Sequence, residues 1–515
     1  MTPAQIKSHF TNWRAWELNP IVVKELRQAV RSWAVTGMLL LFLAVLFCTA
    51  LGFLVSQSFQ SNINQMLGAV VFQSFVAILT IASLTFIPIY VGIRLAAERQ
   101  ESNVDLLYIS TLSPGRIIRG KFFCGAYMTV LFFSACMPFM AFTNLLRGID
   151  LPTIFLILVF LFFVVCGAIQ VAIFVACLPV SKVLKILLAL FGTVGVFMFM
   201  GPLVVFSFGM MGSGLGAMMV SGHGFWTGFV ASAGTGLAAV LLLYFMSVAL
   251  ISPVSANRAL PLRSYITLVW ALGALVSFYW LWKKHDAQVL LPWAIMTFIM
   301  ITGAMAVVVS NQDQLSLRVR AGIPAHPLKR AFAFLFFNGA AGGLVWLALL
   351  SGTTFFISSW FLRRVGFSSM TPPDLKDFTV SAGAFLLYVF AYALTGLFVH
   401  RRFFSRRPPK LAGVFAVLIP AAWAFVPNML LFFLNRLSWA SVERLQAGNV
   451  TNLFIVKNER AKTAHLVCAA AWVLLMLVLN ANWFTRQIKC FQPLDRRPPP
   501  QISGTVASLP PDPEG

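Results

Sequence analysis

The sequence predicts an all-α polytopic membrane protein of about twelve transmembrane helices, with N- and C-termini cytoplasmic. Three observations carry that expectation. Of 515 residues, 59% are hydrophobic and 10% charged, at a mean hydropathy of +0.85, whereas soluble domains are about 45–50% apolar. Apolar runs at roughly 34–56, 67–93, 122–146, 152–177, 186–209, 226–252, 264–282, 289–310, 333–357, 380–399, 412–434 and 463–483 each approach the ~20 residues a helix needs to cross a bilayer. Lysine and arginine are asymmetric: 27 of the 38 fall in alternate inter-span segments beginning with the N-terminal one, and 11 in the others. The positive-inside rule assigns the richer set to the cytoplasm. The net charge of +23 is then a topological signal, and nucleic acid is not needed to explain it.

Residues 1–33 read as a cytoplasmic N-terminus, too long and polar for a secretory signal peptide, so the run from Ala34 is expected to be a retained span. Asn19 suits an N-cap and Pro20 a first helical turn. Beyond them Lys24, Arg27 and Arg31 recur at i, i+3 and i+7, while Val22, Val23, Leu26 and Val30 take the other side. This predicts an in-plane interfacial helix with its basic face towards anionic headgroups.

Between the second and third spans stands RLAAERQESNVDLLYISTLSPGRIIRGK, from Arg94 to Lys121, a dense polar cassette in a poorly charged chain. If residues 98–112 are helical, Glu98, Glu101 and Asp105 share one face, with Val104, Leu106 and Leu107 directed away. Ser113-Pro114-Gly115 is expected to stop that helix, leaving Arg116, Arg119 and Lys121 as a basic lead into the third span. A short surface helix joined rigidly to two spans is suited to pass on a mechanical push.

Further along, GMMGSGLGAMMVSGHGF before the sixth span is glycine-rich and uncharged, and is expected to dip into the outer leaflet. Met198, Met200, Met210, Met211, Met218, Met219 and His223 include soft copper-type ligands, but methionine is an ordinary gap-filler and copper is set aside. The six spans of 34–252 are followed by a second six-span unit, 253–483. Pro327 lies in a basic segment, NQDQLSLRVRAGIPAHPLKR, 213 residues after Pro114; a diverged repeat is one explanation and chance the other. Segment 435–463 is expected to carry a small surface helix, and Asn449-Val450-Thr451 matches a glycosylation sequon. The tail 484–515, with PPP and PPDPEG, is expected to be cytoplasmic and disordered.

The chemistry is mostly negative. Cys48, Cys124, Cys136, Cys166, Cys177, Cys468 and Cys490 show no CxxC spacing and read as small hydrophobes, with no disulfide framework and no metal site. Gly115 to Phe122 nearly matches the phosphate-binding GxxxxGK[ST] loop, but Phe122 replaces the magnesium-holding hydroxyl and no strand leads in. All fifteen acidic residues fall outside the expected span centres, whereas proton-coupled carriers need an intramembrane titratable relay. Gln73, Gln170, Asn338 and His465 are polar within or near spans, and read as helix-to-helix hydrogen-bonding groups. Asp150, Asp286, Asp374, Asp377, Glu443 and Glu459 are scattered; the Pro372-Pro373 context puts Asp374 and Asp377 in a solvated turn. No catalytic set emerges, so an enzyme is not expected, and any work must draw energy from elsewhere. Trp33, Trp226, Trp280, Trp282, Trp293, Trp360 and Trp483 fall near span ends and are expected at the interface.

NPIVVKELRQAVRS and ERQESNVDLLYISTLSPGRIIRGKFF resemble ABC-2-type transporter permeases, nearest the branch linked with multi-copper enzyme maturation and gliding motility. Glu98, Arg99, Asp105, Leu106, Leu107, Ser113, Ile118, Gly120 and Lys121 fit that family's pattern, while Ser102-Asn103 stands where Gly-Thr is usual and Pro114 follows the serine. The likeness covers roughly 15–250. It implies a six-helix, type V exporter-like unit in the first half. Residues 98–112 would be the coupling helix docking on a separate cytoplasmic ABC ATPase. Glu98, Arg99, Glu101, Asp105, Leu106, Leu107, Ser113, Pro114, Gly115, Arg116, Gly120 and Lys121 would form the coupling region. Asn19, Pro20, Lys24, Glu25, Arg27 and Arg31 would belong to a connecting helix at the membrane surface. The resemblance also implies no cofactor in this chain, ATP and magnesium on the partner subunit, pairing with a second copy or another permease among membrane lipids, export, and a bacterial cytoplasmic membrane. The alternatives are a secondary carrier or channel, or a membrane scaffold.

Overall fold

A computed structural model describes residues 20–58, 67–100, 113–146, 151–178, 223–253, 255–311, 315–365, 372–434, 448–450, 452–454, 456 and 458–493. Among them the regular structure is helical. The chain divides into two compact units, Met1–Pro253 and Val254–Gly515.

The first unit holds α1 (Pro20–Val30), α2 (Trp33–Ser58), α3 (Leu67–Gln100), α4 (Pro114–Leu145), α5 (Leu151–Cys177) and α6 (His223–Ile251). The second holds α7 (Ala259–Lys284), α8 (Leu290–Val309), α9 (Leu317–Ala321), α10 (Pro327–Phe336), α11 (Ala340–Val365), α12 (Pro372–Phe403), α13 (Lys410–Phe433) and α14 (Glu459–Cys490), with 3₁₀ turns at Ala287–Val289 and Asn452–Phe454. Among the described residues eleven helices are long and apolar enough to cross a membrane. Large apolar side chains such as Phe47, Phe155, Phe356 and Phe425 lie on their outer faces, which only a lipid solvent makes favourable. The chain is therefore a multi-pass integral membrane protein. Of the twelve expected spans, the fifth (186–209) lies outside the described residues, as do most of 435–463 and the tail from 494 onward.

In the first unit α3, α4 and α5 pack on one another, α2 leans on α3, α6 on α5, and α1 lies against α4. Their shared core is Phe72, Phe75, Leu79, Ile87, Phe132 and Leu161, all essentially inaccessible. The Phe42 and Phe132 rings stand 5.3 Å apart, within the range of favourable aromatic pairs.

In the second unit α12 is central, packed along α14 and against α13 and α8. A recurrent device joins its helices. Thr267, Thr354 and Thr395 donate their hydroxyls to carbonyls four residues back, and accept the indole N–H of Trp346, Trp270 and Trp472 at 2.8–2.9 Å. Each tryptophan thereby satisfies its polar edge inside the bilayer.

Several expectations need correction. Trp293 and Trp483 are buried: Trp293 donates to the Trp270 carbonyl at 3.0 Å, and the Arg401 guanidinium lies over the Trp483 ring. Trp33, Trp282 and Trp360 are exposed, as an interfacial ring should be. Cys48 and Cys490 are exposed rather than buried, Cys468 is half-buried, and the other four are interior. Asn449 of the sequon is fully buried, so its amide could not accept a glycan in this fold. Pro114 and Pro327 both sit in the first turn of a helix, but α4 runs 32 residues and α10 only ten.

Candidate functional site

The chemistry of the first unit gathers where α1, α3, α4 and α6 end. The helix α1 opens at Pro20, whose missing N–H costs nothing in a first turn; Asn19 lies outside the described residues. Lys24, Arg27 and Arg31 are exposed, as a headgroup-facing row would be. The opposite face differs from the expectation. Val22, Glu25 and Ala29 are buried, while Val23 and Val30 are exposed. A carboxylate therefore lies in the face that packs on α4.

Its partner explains it. Lys121, 2% exposed, places Nζ 2.7 Å from Glu25 Oε1 and 2.9 Å from Glu98 Oε2. A buried ammonium is costly unless paired and hydrogen-bonded, and here two carboxylates from two other helices supply both. Around this triad the Arg94 guanidinium donates to Gln28 Oε1 at 3.3 Å and lies over the Tyr90 ring. From α6, Tyr244 donates its hydroxyl to the Gly115 carbonyl at 3.4 Å. That carbonyl also accepts from Arg119 Nε at 3.3 Å.

The boundaries of the cassette shift accordingly. The helix α3 is unbroken to Gln100, so Glu98 rides on the end of a span instead of opening a separate 98–112 helix. Ser113 is extended (φ −70°, ψ 144°), with Pro114 in the first turn of α4. Ser113-Pro114-Gly115 thus opens α4, and the segment that it was expected to end, 101–112, lies outside the described residues. Proline tolerates that position because the N–H it lacks has no intrahelical acceptor. Arg116, Gly120 and Lys121 lie within the first turns of α4 instead of in a loop before it. Arg99 is in the last turn of α3. Glu101, Asp105, Leu106 and Leu107 lie outside the described residues. The structure brings Glu25, Glu98 and Lys121 into one cluster, with Gly115 one hydrogen bond from α6. Gln28, Arg94 and Tyr244 belong to the same joint and were not singled out in the sequence.

The polar groups expected inside spans are engaged. Gln170 Nε2 donates to Ser247 Oγ at 3.4 Å. His465 Nδ1 lies 3.1 Å from the Tyr388 hydroxyl, which accepts the Gly448 N–H at 2.9 Å. Tyr392 donates to the Gly448 carbonyl. Asn338 accepts the Ala259 N–H and donates to the Ala256 carbonyl, both at 2.9 Å. Next to it is an arginine that the sequence does not single out. Arg263, 2% exposed, donates to the carbonyls of Leu335 (2.7 Å), Phe337 (2.8 Å) and Gly339 (2.9 Å), and so fills the break between α10 and α11. Carbonyls at a helix C-terminus attract a cation through their partial charge. Asp377 of α12 pairs with Lys462 of α14 at 2.7 Å. Among the described residues, no group of three or more His, Cys, Asp and Glu side chains is placed to hold a metal ion.

Compared with protein-family models, with curated proteins and with solved structures, the chain finds no match.

Proposed function

We propose that this chain is the membrane-embedded permease subunit of an ATP-binding cassette exporter, driven by a separate cytoplasmic ATPase that grips the segment between α3 and α4. The Glu25–Lys121–Glu98 cluster is the observation that supports this reading. It ties an interfacial helix to both spans that flank the cassette, at the point where a push on residues 101–112 would enter the membrane. A passive anchor has no need of a buried, three-helix ionic joint, which costs desolvation and returns mainly a fixed geometry. With α3 helical to Gln100 and α4 from Pro114, displacement of the intervening segment acts directly on two spans, and on α1 through Lys121. ATP binding closes a pair of ATPase subunits, the docked segments move with them, and the spans tilt to open a path on one side. The fuel, ATP with magnesium, belongs to the partner; the membrane is a bacterial cytoplasmic membrane.

The test is reconstitution. The full chain, purified with its native ATPase, hydrolyses ATP in vesicles, and Glu101→Lys or Asp105→Lys lowers recovery of the ATPase about tenfold or more, as loss of an interfacial hot spot does. Substrate flux from vesicles holding this chain alone, without ATP, makes it a secondary carrier or channel. Binding of a partner without any ATP hydrolysis or flux makes it a scaffold. Either result overturns the proposal.

A further inference from the structure

The second unit contains a groove that the transport reading does not use. Helix α12 packs closely along α14, but α11 touches either only sparsely, and a cavity of about 810 Å³ opens between the three. This is within the range of ~300–1,000 Å³ found for small-molecule sites. Its walls follow α14 from Leu466 to Thr485, about 28 Å at a rise of ~1.5 Å per residue, close to the ~30 Å hydrocarbon thickness. The space is therefore long and narrow.

The chemistry of the walls narrows the occupant. The hydroxyls in the lining are already committed within their own helices: Ser351 to the Leu347 carbonyl, Thr379 to that of Lys376, Thr485 to that of Asn482. Asn480 is held by Arg401 and by the Met476 carbonyl. A sugar, nucleotide or peptide would bring polar groups that find no partner here, and each unmade hydrogen bond is costly. The cation in the lining is Arg363, exposed near the end of α11, and among the described residues no carboxylate pairs with it. A guanidinium fork matches a phosphate in a bidentate manner.

We propose that this groove binds an anionic lipid of the surrounding bilayer, one acyl chain extended between α11, α12 and α14 and the headgroup phosphate on Arg363. The residues involved belong to the second unit, and lipid binding there requires no ATPase.

The experiment uses the full chain in vesicles containing a phosphatidylglycerol analogue with a photoactivatable diazirine in one acyl chain. The same tail on a phosphatidylcholine analogue, and on free palmitic acid, provides the comparisons. After irradiation, labelled peptides are mapped by mass spectrometry. The expected result is strong labelling within 344–356 and 466–485 relative to α2, whose side chains are mostly exposed. Phosphatidylglycerol labelling should fall roughly tenfold in Arg363→Gln, the size of one lost charge-assisted hydrogen bond. Gly352→Trp should abolish groove labelling, because Gly352 lines the groove and a Cβ built there meets no atom within 4 Å, which leaves the indole room to enter it. Labelling of α2 equal to that of the groove, or groove labelling unchanged by Gly352→Trp, overturns the site. Equal labelling by phosphatidylcholine and indifference to Arg363→Gln overturn the anionic headgroup. Labelling by palmitic acid without labelling by phosphatidylglycerol overturns the bilayer lipid as occupant. Should Gly352→Trp fail to fold, the ratio of the two phospholipid probes between the native protein and Arg363→Gln still decides.

Discussion

Replacing Lys121 by methionine keeps most of the length of its side chain and removes its charge, and the structure indicates how large the effect should be. Glu25 is 6% exposed and Glu98 34%, so the two carboxylates do not share the loss equally. Without Lys121, Glu25 is left as a buried carboxylate among apolar helices, and breaking a buried pair in this way costs about 3–5 kcal/mol. Glu98 regains water and should contribute no more than about 1 kcal/mol, the worth of a partly solvated pair. Lys121→Met should therefore destabilise the first unit by roughly 3 kcal/mol or more. Glu98→Gln should cost no more than about 1 kcal/mol, and Glu25→Gln an intermediate amount because Lys121 keeps one partner. The decisive variant is the double substitution Glu25→Met with Lys121→Met. It removes both charges and should return to within about 1–2 kcal/mol of the native protein, since apolar replacement of a whole buried pair is often close to neutral. Reversible unfolding by SDS titration in mixed micelles, followed by far-ultraviolet circular dichroism, measures all four. A double variant as unstable as Lys121→Met, or a Glu98→Gln cost exceeding that of Glu25→Gln, would refute the buried-pair reasoning.

Other outcomes follow from the same geometry. Arg263→Leu leaves the interior carbonyls of Leu335 and Phe337 without this donor, at about 1–3 kcal/mol each, while the Gly339 carbonyl keeps the Gly343 N–H at 3.3 Å; the change should lower the SDS midpoint of the second unit more than any single hydroxyl deletion there, and Arg263→Lys, lacking the fork, should recover only part. Gly339 adopts φ 135°, a region barred to side chains, so Gly339→Ala should cost roughly 1–2 kcal/mol in the same titration. Tyr388→Phe removes the acceptor of the Gly448 N–H, and hydrogen exchange at that amide should accelerate about tenfold, equivalent to ~1.4 kcal/mol. At Gly396 a Cβ would stand 2.7 Å from the Ala416 backbone nitrogen and 2.8 Å from the Ala412 carbonyl. Because backbone cannot swing aside, Gly396→Val should prise α12 from α13 and cost about 1–3 kcal/mol, as overpacking does.

The spans were legible because hydropathy averages over a whole crossing, and one misplaced residue barely moves the sum. Joints were less so. In the sequence Lys121 is one more cation leading into a span, since nothing local distinguishes a lysine on a membrane anchor from one that is buried; its pairing with Glu25 spans 96 residues of sequence. Pro114 opens α4, and proline punctuates both ends of helices, so the residue alone does not say that a long span begins there. On α1 the apolar positions marked a face correctly at Val22, but a strictly apolar criterion passed over Glu25. The tryptophan–threonine bonds join residues 77–84 apart and leave no periodic trace. The groove depends on how far α11 stands from α12 and α14, which no pattern within a single helix encodes.

Arg263 has a consequence for how the protein is made. Its three acceptors are 72–76 residues downstream, so at ~5–20 residues per second a ribosome delivers them roughly 4–15 s after the arginine. During that interval α7 enters the bilayer with a guanidinium near its start and no internal acceptor for it. The charge must stay at the aqueous rim by extending its side chain, which delays deep seating of α7. Final settling of this helix therefore awaits emergence of the Leu335–Gly339 turn, and a nascent chain truncated before it would leave α7 poorly retained.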